Sequence, residues 1–399
     1  MSWWGPARRT AVVVAAAAVV AAGCGSSADG PATESPASDS PAGGQSAAGS
    51  QNPDDPAAGD GVRLIDSVTV PDGTTFQDTA VGGLSGIDYD PATGHYVVIS
   101  DDKGDGGPTR VYTLDMPLDA SGALSPPEIL SMVPLAGPDG MPYPYGSSDT
   151  ESVRWTPEGG FVYGSEGMGS GERPPFVRES AADGTFLDDF PLPEAFLPAA
   201  GAGGQARGLR PNLGFEGLAL SDDGKTISAI AENALVQDGP AAAPDTPSPS
   251  RLLQIDRATG DTTGEYVYDT DPLYTSGTVL GPSLAGVSGM VAVDDDTFLT
   301  VERSFALPRG FVVGIYATTT DGADDVSGTE ALDGTEKAMP KRKVFDFAGA
   351  GAADNIEGIS WGPTLQNGHR SLILVSDNNL GQLGSTTFYL LDVGPGAGF

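Results

Sequence analysis

The chain has few of the residues that most often carry covalent or zinc chemistry. It contains one cysteine and two histidines in 399 residues. A single cysteine cannot form a disulfide within the chain. No G-x-S-x-G nucleophile elbow, zinc-binding motif, P-loop or dinucleotide-binding fingerprint occurs. With His95 and His369 as the only histidines, a Ser-His-Asp hydrolase is poorly supported.

Basic residues are also scarce. The chain has 20 Lys and Arg against 54 Asp and Glu, a formal net charge of −34. Residues 1–60 hold two of the bases and six of the acids, so residues 61–399 keep 18 bases and 48 acids, a net charge of −30. A region this acidic repels nucleic acid and anionic lipid head groups, so we expect no nucleic-acid partner. It suits a cation-rich exterior or a cation-binding site.

Long hydrophobic runs are missing as well. The apolar run from Ala11 to Ala22 has 12 residues, too few to span a bilayer. Arg8 and Arg9 precede it, and small residues lead to Cys24, as in a cleavable secretory signal. Ala21-Ala22-Gly23-Cys24 resembles the bacterial lipobox, whose cysteine receives a lipid after cleavage. A plain signal peptide with an unrelated cysteine is the alternative.

The first 60 residues therefore predict an exported, anchored protein. We expect a signal peptide over residues 1–24, by either the Sec or the Tat route, and lipidation of Cys24. Residues 25–60 are mostly Ser, Ala, Gly, Pro and Asp and cannot bury enough apolar surface to fold, which predicts a disordered tether. The membrane contact would be through the lipid only, on the extracytoplasmic face. Residues 61–399 would form one folded domain.

That domain repeats an internal unit five times. Each unit opens with a small or acidic residue and continues into two apolar strands joined by a tight turn. The openings are 66, 65, 72 and 69 residues apart, at the following positions: Ser85, Glu151, Glu216, Ser288 and Glu357. Gly- and Asp-rich turns between the paired strands predict β-hairpins.

Third and fourth strands follow in most units, which predicts an all-β chain. Three to four antiparallel strands per unit, repeated radially, are typical of a β-propeller, here with five or six blades. The last unit lacks a fourth strand, and Val62–Val70, before the first unit, can supply it and close the ring. A β-sandwich or a solenoid is the alternative architecture.

The repeat also predicts a ring of acidic side chains. The start of the first strand of a hairpin and the end of the second lie at the same end of a blade. The paired positions would therefore meet on one face of the propeller: Ser85/Asp101, Glu151/Glu166, Glu216/Glu232, Ser288/Glu302 and Glu357/Asp377. Hard oxygen ligands without Cys or His suit Ca²⁺, or alternatively Mg²⁺. The candidate metal ligands are Asp101, Glu151, Glu166, Glu216, Glu232, Glu302, Glu357 and Asp377. The alternative is a structural role, in which such an acid accepts backbone N–H bonds from the next blade.

Several short motifs of the repeat resemble a known family. They are Gly83-Leu84-Ser85-Gly86, Asp149-Thr150-Glu151-Ser152, Asn212 to Leu218, Glu232-Asn233, Asn355-Ile356-Glu357-Gly358 and Ser376 to Asn379. In order and spacing they are similar to the bacterial phytase-like family, also called the "esterase-like activity of phytase" domain, over about residues 62–393. The resemblance implies a propeller fold, an exported setting, and hydrolysis of phosphoesters or carboxyl esters.

Together these observations predict a metal-dependent phosphoester hydrolase that acts outside the cell. The residues expected to carry the reaction are Glu216, Glu232 and Glu357, with Arg303 and Lys103 on the anion. One Glu with a raised pKa would act as general acid. We expect a small-molecule substrate and a monomer. The alternative is a non-catalytic, lipid-anchored propeller that serves as a binding module or scaffold.

Overall fold

The computed structural model describes residues 61–167, 173–201, 204–275, 277–350 and 354–399. The described residues all belong to one compact unit, Gly59–Phe399. The predicted signal peptide, the lipidation of Cys24 and the tether over residues 25–60 fall outside the described residues and stay predictions.

The described residues form five four-stranded antiparallel sheets, the blades of a propeller. Blade 1 contains β4 (Leu84–Asp90), β5 (His95–Ser100), β6 (Arg110–Asp115) and β7 (Glu128–Pro134). Blade 2 contains β8 (Thr150–Trp155), β9 (Phe161–Ser165), β10 (Phe176–Ser180) and β11 (Phe186–Phe190). Blade 3 contains β14 (Phe215–Leu220), β15 (Thr226–Ala231), β16 (Pro249–Asp256) and β17 (Thr262–Asp269). Blade 4 contains β18 (Leu280–Ala292), β19 (Thr297–Leu307), β20 (Gly310–Thr319) and β21 (Lys341–Asp346).

Blade 5 closes the ring with strands from both ends of the domain. It contains β22 (Ile356–Trp361), β23 (Arg370–Ser376), β24 (Thr387–Val393) and β1 (Val62–Thr69). β1 runs antiparallel to β24, with Val62 opposite Val393 and Thr69 opposite Thr387. The prediction of an all-β propeller closed by an N-terminal strand is confirmed, and its blade number is five.

Few other elements are present in the described ranges. Two short hairpins are β2 (Thr75–Phe76) with β3 (Thr79–Ala80), and β12 (Ala199–Gly201) with β13 (Gly204–Arg207). One α-helical turn, α1, covers Phe347–Ala350, and 3-10 turns cover Glu194–Phe196 and Asn379–Gly381. Within the described part of the chain, no helix is long and apolar enough to cross a membrane.

The first strand of each blade is the innermost one. β4 packs on β8, β8 on β14, β14 on β18, β18 on β22, and β22 on β4, which completes a circle. Alternation along the strands gives each pair of neighbouring blades its own apolar core. In β5, for example, Tyr96 and Val98 pack toward blade 5, whereas Val97 and Ile99 pack toward blade 2. This alternation follows from the two-residue period of a strand and explains why both faces of the inner strands are apolar.

A β-bulge occurs at the same place in every blade. The pairing between the first and second strands skips one residue of the first strand in each case, at Ser85, Glu151, Glu216, Ser288 and Glu357. These are the five opening positions of the sequence repeat. A bulge leaves one residue outside the ladder and bends the strand, so the repeated opening residue is aimed by the backbone in the same way five times.

One arginine lies across the central channel. Arg154, from β8, donates hydrogen bonds to a backbone carbonyl of the first strand of every blade. The acceptors are Ile87, Val153, Leu218, Met290 and Ile359, with distances of 2.9 Å to Leu218 and Ile359 and 3.0 Å to Val153. The side chain is buried, and its nearest carboxylate is Asp88 at 3.8 Å. Arg154 therefore fastens the five blades together and closes one end of the channel.

Candidate active site

The repeat brings seven of the eight predicted carboxylates to one end of the channel. The bulge residues Glu151, Glu216 and Glu357 come from the first strands and line the channel together with Ser85. The residues that follow the second strands complete the group, which we call the acidic ring: Asp101, Glu166, Glu232 and Asp377. Apart from Asp101, every one of these carboxylate residues is less than a tenth exposed to solvent.

Blade 4 contributes a cation to the ring, and this corrects the prediction for Glu302. Val287 pairs with Glu302, just as Leu84 pairs with Ser100 and Ile356 with Ser376. The residue after the paired one faces the channel, so Arg303 occupies the position held by an acid in the other blades.

Glu302 does not join the ring, because neighbouring residues of a strand point to opposite sides. Its carboxylate accepts hydrogen bonds from the Tyr268 hydroxyl at 2.6 Å and the Asp271 backbone N–H at 2.7 Å. It also pairs with Lys341, whose Nζ lies 2.5 Å away. Glu302 therefore belongs to a separate network between blades 3 and 4.

Arg303 neutralises one side of the ring. Its guanidinium pairs with Glu357 and lies 3.5 Å from Glu232 and 3.8 Å from Glu216. It also donates to the side-chain oxygen of Asn355 at 2.8 Å. Three carboxylates thus share a single guanidinium, which leaves most of their combined charge uncompensated.

A second group of acids lies on the other side, around Lys103. One oxygen each of Asp149, Glu151 and Glu166 lie within 4.8 Å of one another, a spacing that can hold a metal ion. The Lys103 Nζ is 2.5 Å from Asp149 Oδ2. Glu166 also accepts the backbone N–H of Gly214 in the next blade at 2.7 Å, so part of the predicted structural role is present here.

Asp149 and Asn355 belong to the site, although the sequence interpretation did not select them. Each stands two residues before a bulge residue, Glu151 or Glu357. Asn355 donates to Glu357 at 3.0 Å and to Asp377 at 3.3 Å. Their shared position, two residues before the repeat opening, is the sequence feature that could have identified them.

Glycine at that offset in the other blades makes room for carboxylates. The residues are Gly83, Gly214 and Gly286. A Cβ atom on Gly83 would lie 2.0 Å from Asp101 Oδ1, and one on Gly286 would lie 2.5 Å from the side chain of Glu232. Any larger residue there would displace a ring carboxylate.

Burial and like charge perturb the titration of the ring. Desolvation is the largest cause, and repulsion from neighbouring carboxylates adds to it. Together they raise the pKa values of five members well above the ordinary range: Asp101, Glu151, Glu166, Glu216 and Asp377. Burial raises the pKa of Glu232 to about 7, although the charge of Arg303 opposes the shift. Counting Asp149, eight carboxylates face Lys103 and Arg303, a formal charge of −6 if all are ionised. Protons or bound cations must offset this charge.

Several buried polar atoms of the site have no partner among the described residues. They are Ser85 Oγ, Asp101 Oδ1, Ser152 Oγ, Glu216 Oε2 and Arg303 Nε. Buried polar atoms are normally hydrogen-bonded, so these atoms are available to bind a ligand or water. Below the ring lies a cavity of about 10 Å³ with Arg154 among its lining residues, room for about one water molecule. The channel is therefore a blind well that opens at the acidic ring.

Comparison with protein families identifies the relatives of this domain. The model of the phytase-like family, described as esterase-like activity of phytase, matches residues 79–380. The chain belongs to this family. The match includes the five bulges and all carboxylates of the acidic ring, so the site lies inside the phytase-like region. No curated protein matches the chain.

Solved structures similar to this phytase-like domain have low sequence identity to it. A glucose dehydrogenase shares 16% identity, with 79% of this chain and 83% of that chain covered and a TM-score of 0.33. A protein of unknown function from Dyadobacter fermentans shares 13% identity, with 84% and 99% covered and a TM-score of 0.36. A bifunctional GH43-CE protein from Bacteroides eggerthii shares 10% identity, with 81% and 34% covered and a TM-score of 0.39.

Proposed function

We propose that this chain is an extracytoplasmic hydrolase that cleaves a phosphoester, or a related ester, at the acidic ring with the help of a divalent cation. The observation that carries the proposal is the ring itself. Eight carboxylates, seven of them buried, surround a blind well with two cations among them, and several polar atoms of the site have no partner among the described residues. Membership of a family described by its esterase-like and phytase activity supports the same reaction class.

The residues present fit a divalent cation. Asp149, Glu151 and Glu166 offer three carboxylate oxygens within 4.8 Å of one another, without histidine or cysteine. Such an all-oxygen set suits Ca²⁺ or Mg²⁺. When bound, the cation would offset carboxylate charge and polarise an ester or phosphoryl oxygen as a Lewis acid.

The side chains of the chain would bind the anion and move the proton. Lys103 and Arg303 lie on opposite sides of the ring and would orient an anionic group, Arg303 through its unpartnered Nε. Glu232, with a pKa of about 7, can hold a proton near neutral pH and donate it to the leaving oxygen. Glu216 and Glu357 flank Arg303 and keep its guanidinium at the mouth of the well.

The test is turnover by the purified chain with and without a divalent cation. Phosphate release from phytate and from p-nitrophenyl phosphate is measured in EDTA and after addition of Ca²⁺ or Mg²⁺. We expect activity only with the cation, and a loss of about 100-fold or more in Glu232→Gln because the proton donor is removed. Glu302→Gln is the matched control, since Glu302 is a buried acid outside the ring, and it should retain activity.

Two results would overturn the proposal. Turnover that is unchanged in EDTA would remove the cation from the reaction. No turnover of any ester, although the cation still raises the melting temperature, would favour the binding module instead.

A further inference from the structure

A larger cavity lies beside the acidic ring on the same face of blade 2. Its walls come from the connection between β7 and β8, residues 135–149, and from the start of β10. Its volume is about 330 Å³, at the lower end of the range for small-molecule pockets. Both walls lead directly to ring residues, since Asp149 ends the connection and Phe176 pairs with Ser165, the residue before Glu166.

A backbone link joins this cavity to the ring. The peptide N–H of Gly146 donates to the Lys103 carbonyl at 2.6 Å, and the Gly146 carbonyl accepts a hydrogen bond from Arg173. Lys103 turns its ammonium group to Asp149 in the ring, whereas Arg173 lines the cavity. A molecule with its reacting group between Lys103 and Arg303 would therefore have the cavity next to it.

The inner wall of the cavity is aromatic and held in place. The rings of Tyr143 and Phe176 are stacked, with centroids 5.8 Å apart and an angle of 7° between them. The Tyr143 hydroxyl bonds to the Tyr163 hydroxyl at 2.9 Å and to Arg178 at 3.0 Å. Phe176 is buried, with Tyr143 stacked on it and Arg178 above its ring, so it supports the wall from behind. A ligand would meet the half-buried Tyr143 ring and the exposed Met141 side chain, and the Tyr143 ring is held in place before it binds.

The charges of the cavity are few. The Arg178 guanidinium lies 3.9 Å above the Phe176 ring and makes two hydrogen bonds to Asp189, at 3.1 and 3.2 Å, so its charge is already neutralised. Arg173 bonds to a carbonyl oxygen, and Asp139 accepts the Met141 N–H at 2.9 Å. A polyanion would need several uncompensated cations here. An apolar ring needs only the apolar surface that Tyr143 and Met141 provide.

We propose that this cavity is the subsite for the organic group of the substrate, and that this group is flat and apolar. The inference rests on the proposed function for the reacting end of the molecule only, since the cavity and its walls are independent of the chemistry at the ring. It makes the preferred substrate an aryl ester of phosphoric acid, or a similar ester with one anionic group, rather than a polyphosphorylated sugar alcohol.

Binding of a non-hydrolysable probe tests the subsite directly. The full chain is titrated with 2-naphthylphosphonate by calorimetry in the presence of Ca²⁺, with methylphosphonate as the probe that lacks the ring. We expect 2-naphthylphosphonate to bind at least tenfold more tightly. The variants Met141→Asp and Arg173→Gln should each weaken its binding about five- to tenfold and leave methylphosphonate unchanged.

Leu187→Asp is the matched control variant. Leu187 is an exposed apolar residue of the same blade and does not line the cavity. Met141 and Arg173 are both exposed, so we expect their variants to fold normally. Equal melting temperatures of the three variants would show this. Equal affinities for the two phosphonates, or equal weakening by Leu187→Asp and Met141→Asp, would overturn the proposal.

Turnover separates this proposal from the proposed function. With 2-naphthyl phosphate as substrate, the cavity variants should raise KM about five- to tenfold with little change in kcat, whereas KM for glycerol 2-phosphate should not move. If no phosphoester is hydrolysed but the probe still binds in the cavity, the proposed function fails and the subsite stands. If both esters are hydrolysed with the same KM in every variant, the subsite fails and the hydrolase stands.

Discussion

Arg303 and Glu302 show that a shift of one residue along a strand determines whether a side chain joins the acidic ring. The two neighbours face opposite sides of β19, so Arg303 pairs with Glu357 in the ring while Glu302 binds Tyr268 and Lys341 outside it. In the other four blades the position of Arg303 carries Asp or Glu. A cation at this position is therefore a specialisation of blade 4, and it breaks the symmetry of the acidic ring.

Arg154 makes a prediction about stability at the residue scale. Arg154→Met keeps an unbranched apolar stem but removes the guanidinium and leaves five buried carbonyls without their donor. We expect the free energy of unfolding to fall by at least about 3 kcal/mol, since buried acceptors without partners are costly. Urea denaturation measures the loss. The control is Arg309→Met, on the exposed turn between β19 and β20; a loss in Arg154→Met no greater than in this control would contradict the structural role.

The sequence predicted the residues that recur and missed those that do not. Glu151, Glu216 and Glu357 stand at the repeat openings, and the same repeat located the strands of all five blades. Arg154 occurs in one blade only, so no periodicity marks it. The error at Glu302 has a simple cause: Glu302 is an acid directly before the equivalent position, and the hairpins differ in length, so only the strand pairing shows that Arg303 is the counterpart of Asp101.

At the scale of the strand, the five bulges impose small residues on the centre of the propeller. The residue after each bulge is Gly86, Ser152, Gly217, Gly289 or Gly358. A Cβ atom on Gly289 would lie 2.2 Å from the carbonyl oxygen of Glu357, and one on Gly217 would lie 3.0 Å from the backbone nitrogen of Met290. The inner strands thus touch backbone to backbone, which brings the carboxylates of neighbouring blades close together.

Gly289→Ala tests this contact. The added methyl group would push β18 away from β22, and we expect a loss of about 1–3 kcal/mol in the free energy of unfolding, measured with urea. Gly349→Ala is the matched control, because nothing lies within 4 Å of the Cβ position there and alanine favours the helical turn α1. If the two variants were equally stable, the close approach of the inner strands would not limit the residue at the bulge.

The sequence did not predict the conformation of the loops outside the repeat. The walls of the cavity beside the ring lie in the connection between β7 and β8 and at the start of β10, where no periodicity constrains the chain. Its aromatic wall depends on Tyr143, 20 residues before its hydrogen-bond partner Tyr163. Contacts of this kind depend on how a connection folds back, which strand patterns do not report.

At the scale of the whole domain, the ring couples stability to pH and to cations. Six of the ring carboxylates have a raised pKa: Asp101, Glu151, Glu166, Glu216, Asp377 and Glu232, for the last from 4.5 to about 7. Between the unfolded and the folded pKa, such a group binds more protons in the folded state than in the unfolded state, so the free energy of unfolding falls as the pH rises. Its contribution to stability is complete below about pH 4.5 and is lost as the pH rises through the folded pKa. The domain should therefore become less stable between pH 5 and pH 8 when no divalent cation is bound.

Calorimetric melting in EDTA at pH 5 and pH 8 measures the effect. We expect a melting temperature several degrees lower at pH 8, and Ca²⁺ should recover most of the difference by compensating the ionised carboxylates. NaCl at equal ionic strength is the control for screening and should recover much less. A higher melting temperature at pH 8 than at pH 5 in EDTA would contradict the raised pKa values.

The guanidinium of Arg154 also determines how small molecules can enter and leave the channel. Because it closes the channel directly below the acidic ring, a small molecule cannot pass from one side of the propeller to the other along the axis. A molecule that enters at the acidic ring must leave by the same opening, so substrate and product share one route. If the proposed function holds, the released anion competes with the next substrate for Lys103 and Arg303, and accumulated product should slow turnover.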